Sequence, residues 1–206
     1  MAWTIEELQL LKKLDNPDKI QEFLDTLEYN PNYECRSPRY VIQNRRAHCF
    51  EGALLAAAAL ELIGYKPLIV DMKAINDDDH VIAVFKENGT WGAVAKSNFT
   101  TLRFREPVYR TLRELIMSYF EFFFNVDGFK SLRFYSLPLN LRMFEKENWK
   151  TTDKDLEFIG DKIEALKHFP IITNKMERNL YKASDTVLKA GLMGARPEGL
   201  FKPDKI

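Results

Sequence analysis

Residues 44–63, NRRAHCFEGALLAAAALELI, constrain this chain more than any other stretch. Alanine and leucine favour helix, Asn44 is suited to cap its start, and Gly64 stands where a terminating glycine belongs. Gly52, Ala53 and the run Ala56, Ala57, Ala58 and Ala59 leave that helix almost no polar face. A helix apolar all round has to be enclosed on every side, and its small side chains let the enclosing elements come close to its backbone. The chain must therefore build a layered domain around residues 44–63. Its 206 residues, 46% hydrophobic and 13% aromatic, are enough for one well-buried core and exclude a disordered chain.

The enclosing elements can be read from the flanks. Thr4 and Glu7 form a capping box before Leu8, Leu10 and Leu11, and Asn16-Pro17 opens a second helix with Ile20, Phe23, Leu24 and Leu27 on one face. Residues 28–40, with two prolines and no periodicity, read as a loop. After Gly64 come three strand candidates: 67–72 (PLIVDM), 80–86 (HVIAVFK) and 91–97, the last two joined through Asn88-Gly89, the strongest short hairpin signal. Helices are expected over 108–124, from a Thr152 cap to about 167, and over 174–190. A further edge strand is expected at 130–135, and an irregular tail from 191 onward. The expectation is an α+β single domain over 1–206. Its antiparallel sheet packs on the buried Cys-bearing helix, with a core at about 40–100 and helical elaborations at 1–30 and 105–190.

Charge and cysteine content narrow the function classes. Thirty basic residues balance thirty acidic ones, so no global field points to nucleic acid or an anionic membrane. The stretch 103–114 alternates charge and reads as a solvated face rather than a nucleic-acid surface. Cys35 and Cys49 are the only cysteines; a disulfide framework needs more, and no bridge is expected between them. The amphipathic, acidic start has no signal-peptide pattern and the longest apolar run is too short to span a bilayer, so a cytoplasmic protein without a membrane partner is expected. No Cys-x-x-Cys or His-x-x-x-His spacing is present. His48, Cys49, Asp78, Asp79 and His80 make only a weak metal set, and neither metal nor cofactor is implied.

Lengths then bring particular residues together. From Cys49 to Ile63 a helix advances about 21 Å, and a strand of six or seven residues after the turn returns roughly 20 Å. The loop 74–79 reverses the chain, so His80, opening the outgoing strand, should lie at the Cys49 end of the layer. If Asn88-Gly89 is the two-residue turn, Glu87 faces Thr90, Lys86 faces Trp91, and the continued register sets Ser97 across from His80. Asn98 follows, within reach if the strand end bulges. A thiol near a helix N-terminus, with Arg45 and Arg46 upstream, has its thiolate favoured. A histidine can serve as its base, a third polar group can orient the ring, and the amide at the helix start can receive an oxyanion, with Gln43 as a further donor. Taken singly, a cysteine in an alanine-rich helix is an inert core residue and a histidine after three aspartates is an ion-pair partner. Their shared location is what points to catalysis.

With HCFEGALLAAAALELIGY, HVIAVF and GTWGAVAKSN in this order, residues 40–100 resemble the transglutaminase-like superfamily, within the wider clan that includes papain-like folds. The resemblance implies acyl transfer or amide hydrolysis through a Cys–His–Asp triad. The family's aspartate falls about four residues after the tryptophan, where this chain has Ala95. Ser97 or Asn98 would have to stand in for it, with Asp71, Asp78 or Asp79 as sources of charge. Two functions are expected on these grounds. One is a thiol hydrolase or acyl transferase using Cys49, His80 and either Ser97 or Asn98 on an amide or peptide-like substrate. The other is a non-catalytic binding or scaffold protein with a degenerate triad.

Overall fold

The computed structural model describes residues 2–204. Helix α1 (Ile5–Lys13) opens on the Thr4–Glu7 capping box and α2 (Pro17–Asp25) on Asn16, whose side chain accepts from the Lys19 amide. A two-residue strand β1 (Glu28–Tyr29) precedes α3 (Pro38–Asn44), and a second short strand β2 (Arg46–Ala47) pairs parallel with β1. The long helix α4 (Cys49–Leu62) comes next, then β3 (Leu68–Ala74), β4 (His80–Glu87), β5 (Thr90–Val94) and β6 (Arg105–Tyr109). The remainder is α5 (Leu112–Phe120), β7 (Leu132–Ser136), β8 (Leu139–Asn140), α6 (Glu157–Glu164), β9 (His168–Pro170), α7 (Asn174–Glu177) and α8 (Asp185–Gly191).

The large sheet runs β6-β5-β4-β3-β7-β9, with β8 also on β3, and every pairing in it is antiparallel. The protein is α+β. Its hairpin has the expected register, Glu87 to Thr90 and Lys86 to Trp91, because Asn88 and Gly89 take φ of 49° and 85° and make the tight turn that matches strand twist. Period-two alternation then divides the sheet. Ile69, Val81, Ala83 and Phe85 pack toward α4, and Val70, Ile82, Val84 and Ala93 pack toward α5 with Leu115, Ile116 and Tyr119.

Helix α4 is enclosed as its composition demands. All of residues 50–60 are buried, against β3 and β4 on one side and α1, α2 and α3 on the others. Each fully buried leucine there (Leu54, Leu55, Leu60) stabilises the fold by about 1.5–3 kcal/mol relative to exposure. Gly52 is needed for the close approach: a Cβ on it would lie 2.3 Å from Lys96 Cβ.

Several element boundaries differ from expectation, each for a local reason. The helix starts at Cys49, not Asn44. Ser37 and Pro38 nucleate the separate helix α3 at the end of the expected loop, Arg45 terminates it in the left-handed region at φ 55°, and β2 intervenes. Residues 108–124 are not one helix, because Pro107, Val108 and Tyr109 join β6 and the helix waits for the Thr111–Glu114 capping box. Residues 130–135 form β7 beside β3, inside the sheet rather than at its edge, since β9 covers its other side. Thr152 caps nothing longer than a turn at Lys154, and α6 begins only after Leu156. Residues 174–190 break into α7 and α8, each with its own hydroxyl cap, Thr173 and Ser184. The tail is irregular apart from a turn of 3-10 helix at 197–199; Met1 and, at the tail's end, Lys205 and Ile206 lie outside the described residues. Among the described residues no helix is long and apolar enough to cross a membrane.

Candidate functional site

Cys49 occupies the first position of α4 because His48, not Asn44, is the cap. His48 Nδ1 accepts from the Phe50 amide at 3.2 Å, so the ring proton is on Nε2, which donates to the Glu34 carbonyl at 3.0 Å. Glu51 closes the box by accepting from the His48 amide at 3.1 Å. The same fully buried carboxylate takes the Asn30 side-chain amide at 2.9 Å and the Arg36 amide at 3.2 Å, fixing the loop beside the thiol. The Cys49 thiol faces the Asp79 carbonyl at 3.8 Å.

Burial pushes this thiol up to about 11, with Asp78 and Asp71 acting in the same direction; hydrogen bonds from the Val81 and Phe50 amides pull the other way. A helix N-terminus contributes up to about 2 kcal/mol even in favourable partly buried sites, and here desolvation outweighs it. The two upstream arginines do not help. Arg45 lies 4.5 Å over the Phe23 ring and donates to Thr26, and Arg46 donates to the Tyr40 hydroxyl.

His80 reaches the same end of the layer, as the lengths require, but alternation sets its ring on the α5 face with Ile82 and Val84. Phe123 meets it edge-on at 6.2 Å. Its Nε2 lies 2.8 Å from the Leu102 carbonyl. A carbonyl only accepts, so Nε2 carries the proton and Nδ1 is bare. Burial depresses the ring to about 4; the Leu102 hydrogen bond opposes this and the nearby Arg105 charge adds to it. Helix α4 lies on the opposite face, and among the described residues no hydrogen bond joins the thiol to the ring. Both side chains nevertheless line one cavity of about 310 Å³ at the rim of the sheet.

Ser97 and Asn98 line that cavity too, yet neither orients the histidine. The ladder pairs Ala83 with Val94 and stops there, so the expected strand 91–97 ends three residues early and Ser97 leaves the register that would set it opposite His80. Its hydroxyl accepts from the Phe99 amide at 3.0 Å. Asn98 is spent on Arg196, accepting from its amide at 2.8 Å and donating to its carbonyl at 2.9 Å. The orienting group is the Leu102 carbonyl, which no residue-type signal could reveal because every residue carries one. Ala95, where the resemblance would set an aspartate, is buried, its amide and carbonyl both held by Gln21 at 3.0 Å. Gln43 is turned to Glu7 and supplies no donor here.

The carboxylates nearby have their own partners. Asp77 accepts from Ser131 at 2.6 Å and is raised by burial to about 7; Asp79 accepts from the Ala74 amide and is raised by burial to about 6. Asp71 pairs with His168 at 3.1 Å, a contact the sequence separation of the two concealed. Asp78 lines the cavity with its carboxyl also raised by burial, while His48 opposes the shift. Cys35, half-buried and free like Cys49, is pushed up to about 12 by burial. Among the described residues no group of three histidine, cysteine, aspartate or glutamate side chains could hold a metal ion. Comparison of the whole chain with protein-family models and with curated proteins finds a match in neither.

Proposed function

We propose that the chain is a thiol-dependent hydrolase or acyl transferase that takes an amide or peptide-like substrate in the Cys49–His80 cavity. The observation that carries this reading is the hydrogen bond from His80 Nε2 to the Leu102 carbonyl. It leaves Nδ1 as the free base of a histidine that lines a cavity shared with a thiol at a helix start. In the reaction, Nδ1 takes the thiol proton as sulfur bonds to the substrate carbonyl carbon, and the Cys49 amide receives the oxyanion. The leaving amine departs with the proton from His80. Water or an acceptor nucleophile then releases the acyl group from sulfur.

A second reading, a binding or scaffold protein, is favoured by the protonation states. Burial pushes the thiol up to about 11 and the ring down to about 4, so both groups rest neutral and the thiolate–imidazolium pair is disfavoured in this state. A neutral carbonyl stabilises the imidazolium less than a carboxylate would, and the Leu102 hydrogen bond offsets only part of the burial. Incubation with p-nitrophenyl acetate, then peptide mass mapping, separates the two. The enzyme reading expects an acetyl group on Cys49 and not on Cys35, steady release of nitrophenol, and loss of both with His80→Ala. Labelling of Cys49 only after denaturation would establish the binding reading instead.

A further inference from the structure

The last described stretch of the chain, residues 196–204, crosses the mouth of the cavity, and Glu198, Gly199, Leu200 and Phe201 form part of its lining. Two asparagines hold it, one at each end, in the same way. Asn98 accepts from the Arg196 amide and donates to the Arg196 carbonyl. Asn76 accepts from the Asp204 amide at 2.7 Å and donates to the Asp204 carbonyl at 3.0 Å. In each case a side-chain amide pairs with both backbone groups of one residue, as a neighbouring strand would, and reads no side chain. Asn98 is itself buried, and Asn76 is held in the left-handed region at φ 55° with its carbonyl fixed by Asn125.

Between the clamps the fit is selective at one position. A Cβ on Gly199 would stand 2.5 Å from the Tyr29 ring and 3.2 Å from Asn98 Nδ2, so only glycine passes there. Leu200 and Phe201 are half-buried toward the cavity, and outside it Arg196 pairs with Glu28 at 3.2 Å.

We propose that Asn76 and Asn98 form a backbone-reading site for a polypeptide segment that makes one tight turn after the first clamped position, with glycine three residues beyond it, and that residues 196–204 occupy it in cis and cover Cys49. This deepens the reading of the cavity as a peptide-like substrate site, and rests on that reading only for the chemistry after binding. The segment is a competitor of any incoming peptide, and its departure is the step that rehydrates the thiol and the ring.

The test uses the full chain in two variants that act from opposite sides. Asn76→Ala with Asn98→Ala removes both clamps; Gly199→Leu leaves the clamps and makes the segment itself too large. Hydrogen exchange at the Arg196 and Asp204 amides reports release, and mass-mapped iodoacetamide alkylation reports access to Cys49. Loss of the four hydrogen bonds at the two clamps lowers the ratio of covered to open states by at least on the order of tenfold. In both variants the two amides should exchange faster and Cys49 should alkylate about tenfold faster. A synthetic peptide ARPEGLFKPD, added in trans, should restore slow alkylation in the Gly199→Leu protein. The same peptide carrying the Gly199→Leu change should not. Fast amide exchange with unchanged alkylation would show that the segment does not cover the thiol, and unchanged exchange in both variants would show that the clamps do not hold it. Failure of the peptide to protect would remove the trans site. Acetylation of Cys49 is scored separately, so peptide binding without acyl transfer overturns the enzyme reading and leaves this one standing.

Discussion

His80 should make the protein acid-labile in a window that can be worked out from its surroundings. The ring is depressed to about 4 in the folded state from an ordinary 6.5, with burial the leading cause. A depressed group of this kind contributes stability that is fully present above its unfolded value and is lost as pH falls through its folded value. Between about pH 6.5 and pH 4 the loss is about 3 kcal/mol, at 1.36 kcal/mol per pH unit, a large share of a typical 5–15 kcal/mol total. Asp77 and Asp79 run the other way across the same window. Their folded values are raised, to about 7 and about 6, so they contribute stability at low pH that is lost as pH rises through those values. Total stability against pH therefore mixes opposite signs, and the informative quantity is the difference between wild type and His80→Gln. Glutamine keeps an N–H for the Leu102 carbonyl and cannot titrate. Urea unfolding of both proteins at about pH 7 and about pH 4 should show the wild type losing roughly 3 kcal/mol more than the variant. A parallel dependence in the two proteins, or a His80 ring that titrates near 6.5 in the folded state by NMR, would refute the reasoning.

Two further perturbations test the core. Gly52→Ala improves helix propensity by about 1 kcal/mol, yet its Cβ would meet Lys96 Cβ at 2.3 Å; thermal unfolding should show a net loss of about 1–2 kcal/mol, and a stabilised variant would mean that α4 and the Lys96 segment can separate freely. Arg39→Met strands the buried Glu7 carboxylate, now paired at 2.8 Å, and should cost about 3–5 kcal/mol, with Glu7→Leu in addition recovering most of it in a double-mutant cycle.

How much of this was legible depends on whether the signal was carried by side-chain type or by backbone. The Thr4 and Asn16 caps, the Asn88-Gly89 turn and the apolar girth of α4 are side-chain signals, and the structure obeys each of them. The shared end of Cys49 and His80 came from lengths alone. What stayed hidden rests on backbone atoms or distant segments. The group that holds the His80 ring is the Leu102 carbonyl, residues 196–204 lie across the mouth, and the ladder stops at Val94 where the sequence continues smoothly into Ala95. The long aromatic stretch 108–124 misled because proline and β-branched residues at its start serve β6 before the helix begins. The expected lowering of the Cys49 thiol misled for a different reason: sequence shows the helix N-terminus but not the walls that dehydrate it.

Ala95 offers the sharpest test of the transglutaminase-like resemblance. The ladder's register, continued one residue past Val94, sets position 95 across from Ile82, on the same face as His80 and one pair along from it. A carboxylate there would be buried, since Ala95 is 0% exposed, and would depend on compensation from groups on that face, the His80 ring among them. Ala95→Asp should therefore cost stability at neutral pH while raising the His80 ring by about 1–3 pH units, the usual effect of an opposite charge in reach. The same change should draw Nε2–H from the Leu102 carbonyl to the new carboxylate and make the imidazolium a tenable partner for a thiolate. Two measurements track the change. NMR titration of the His80 ring reads its protonation directly, and the pH profile of Cys49 alkylation should move to lower pH in step with it. If Ala95→Asp folds and His80 still titrates near 4, position 95 does not communicate with the ring. The likeness to a Cys–His–Asp scaffold would then end at the outline of helix and strands. If the ring rises and the thiol profile does not move, His80 and Cys49 are independent neighbours in one cavity, and the binding reading takes precedence.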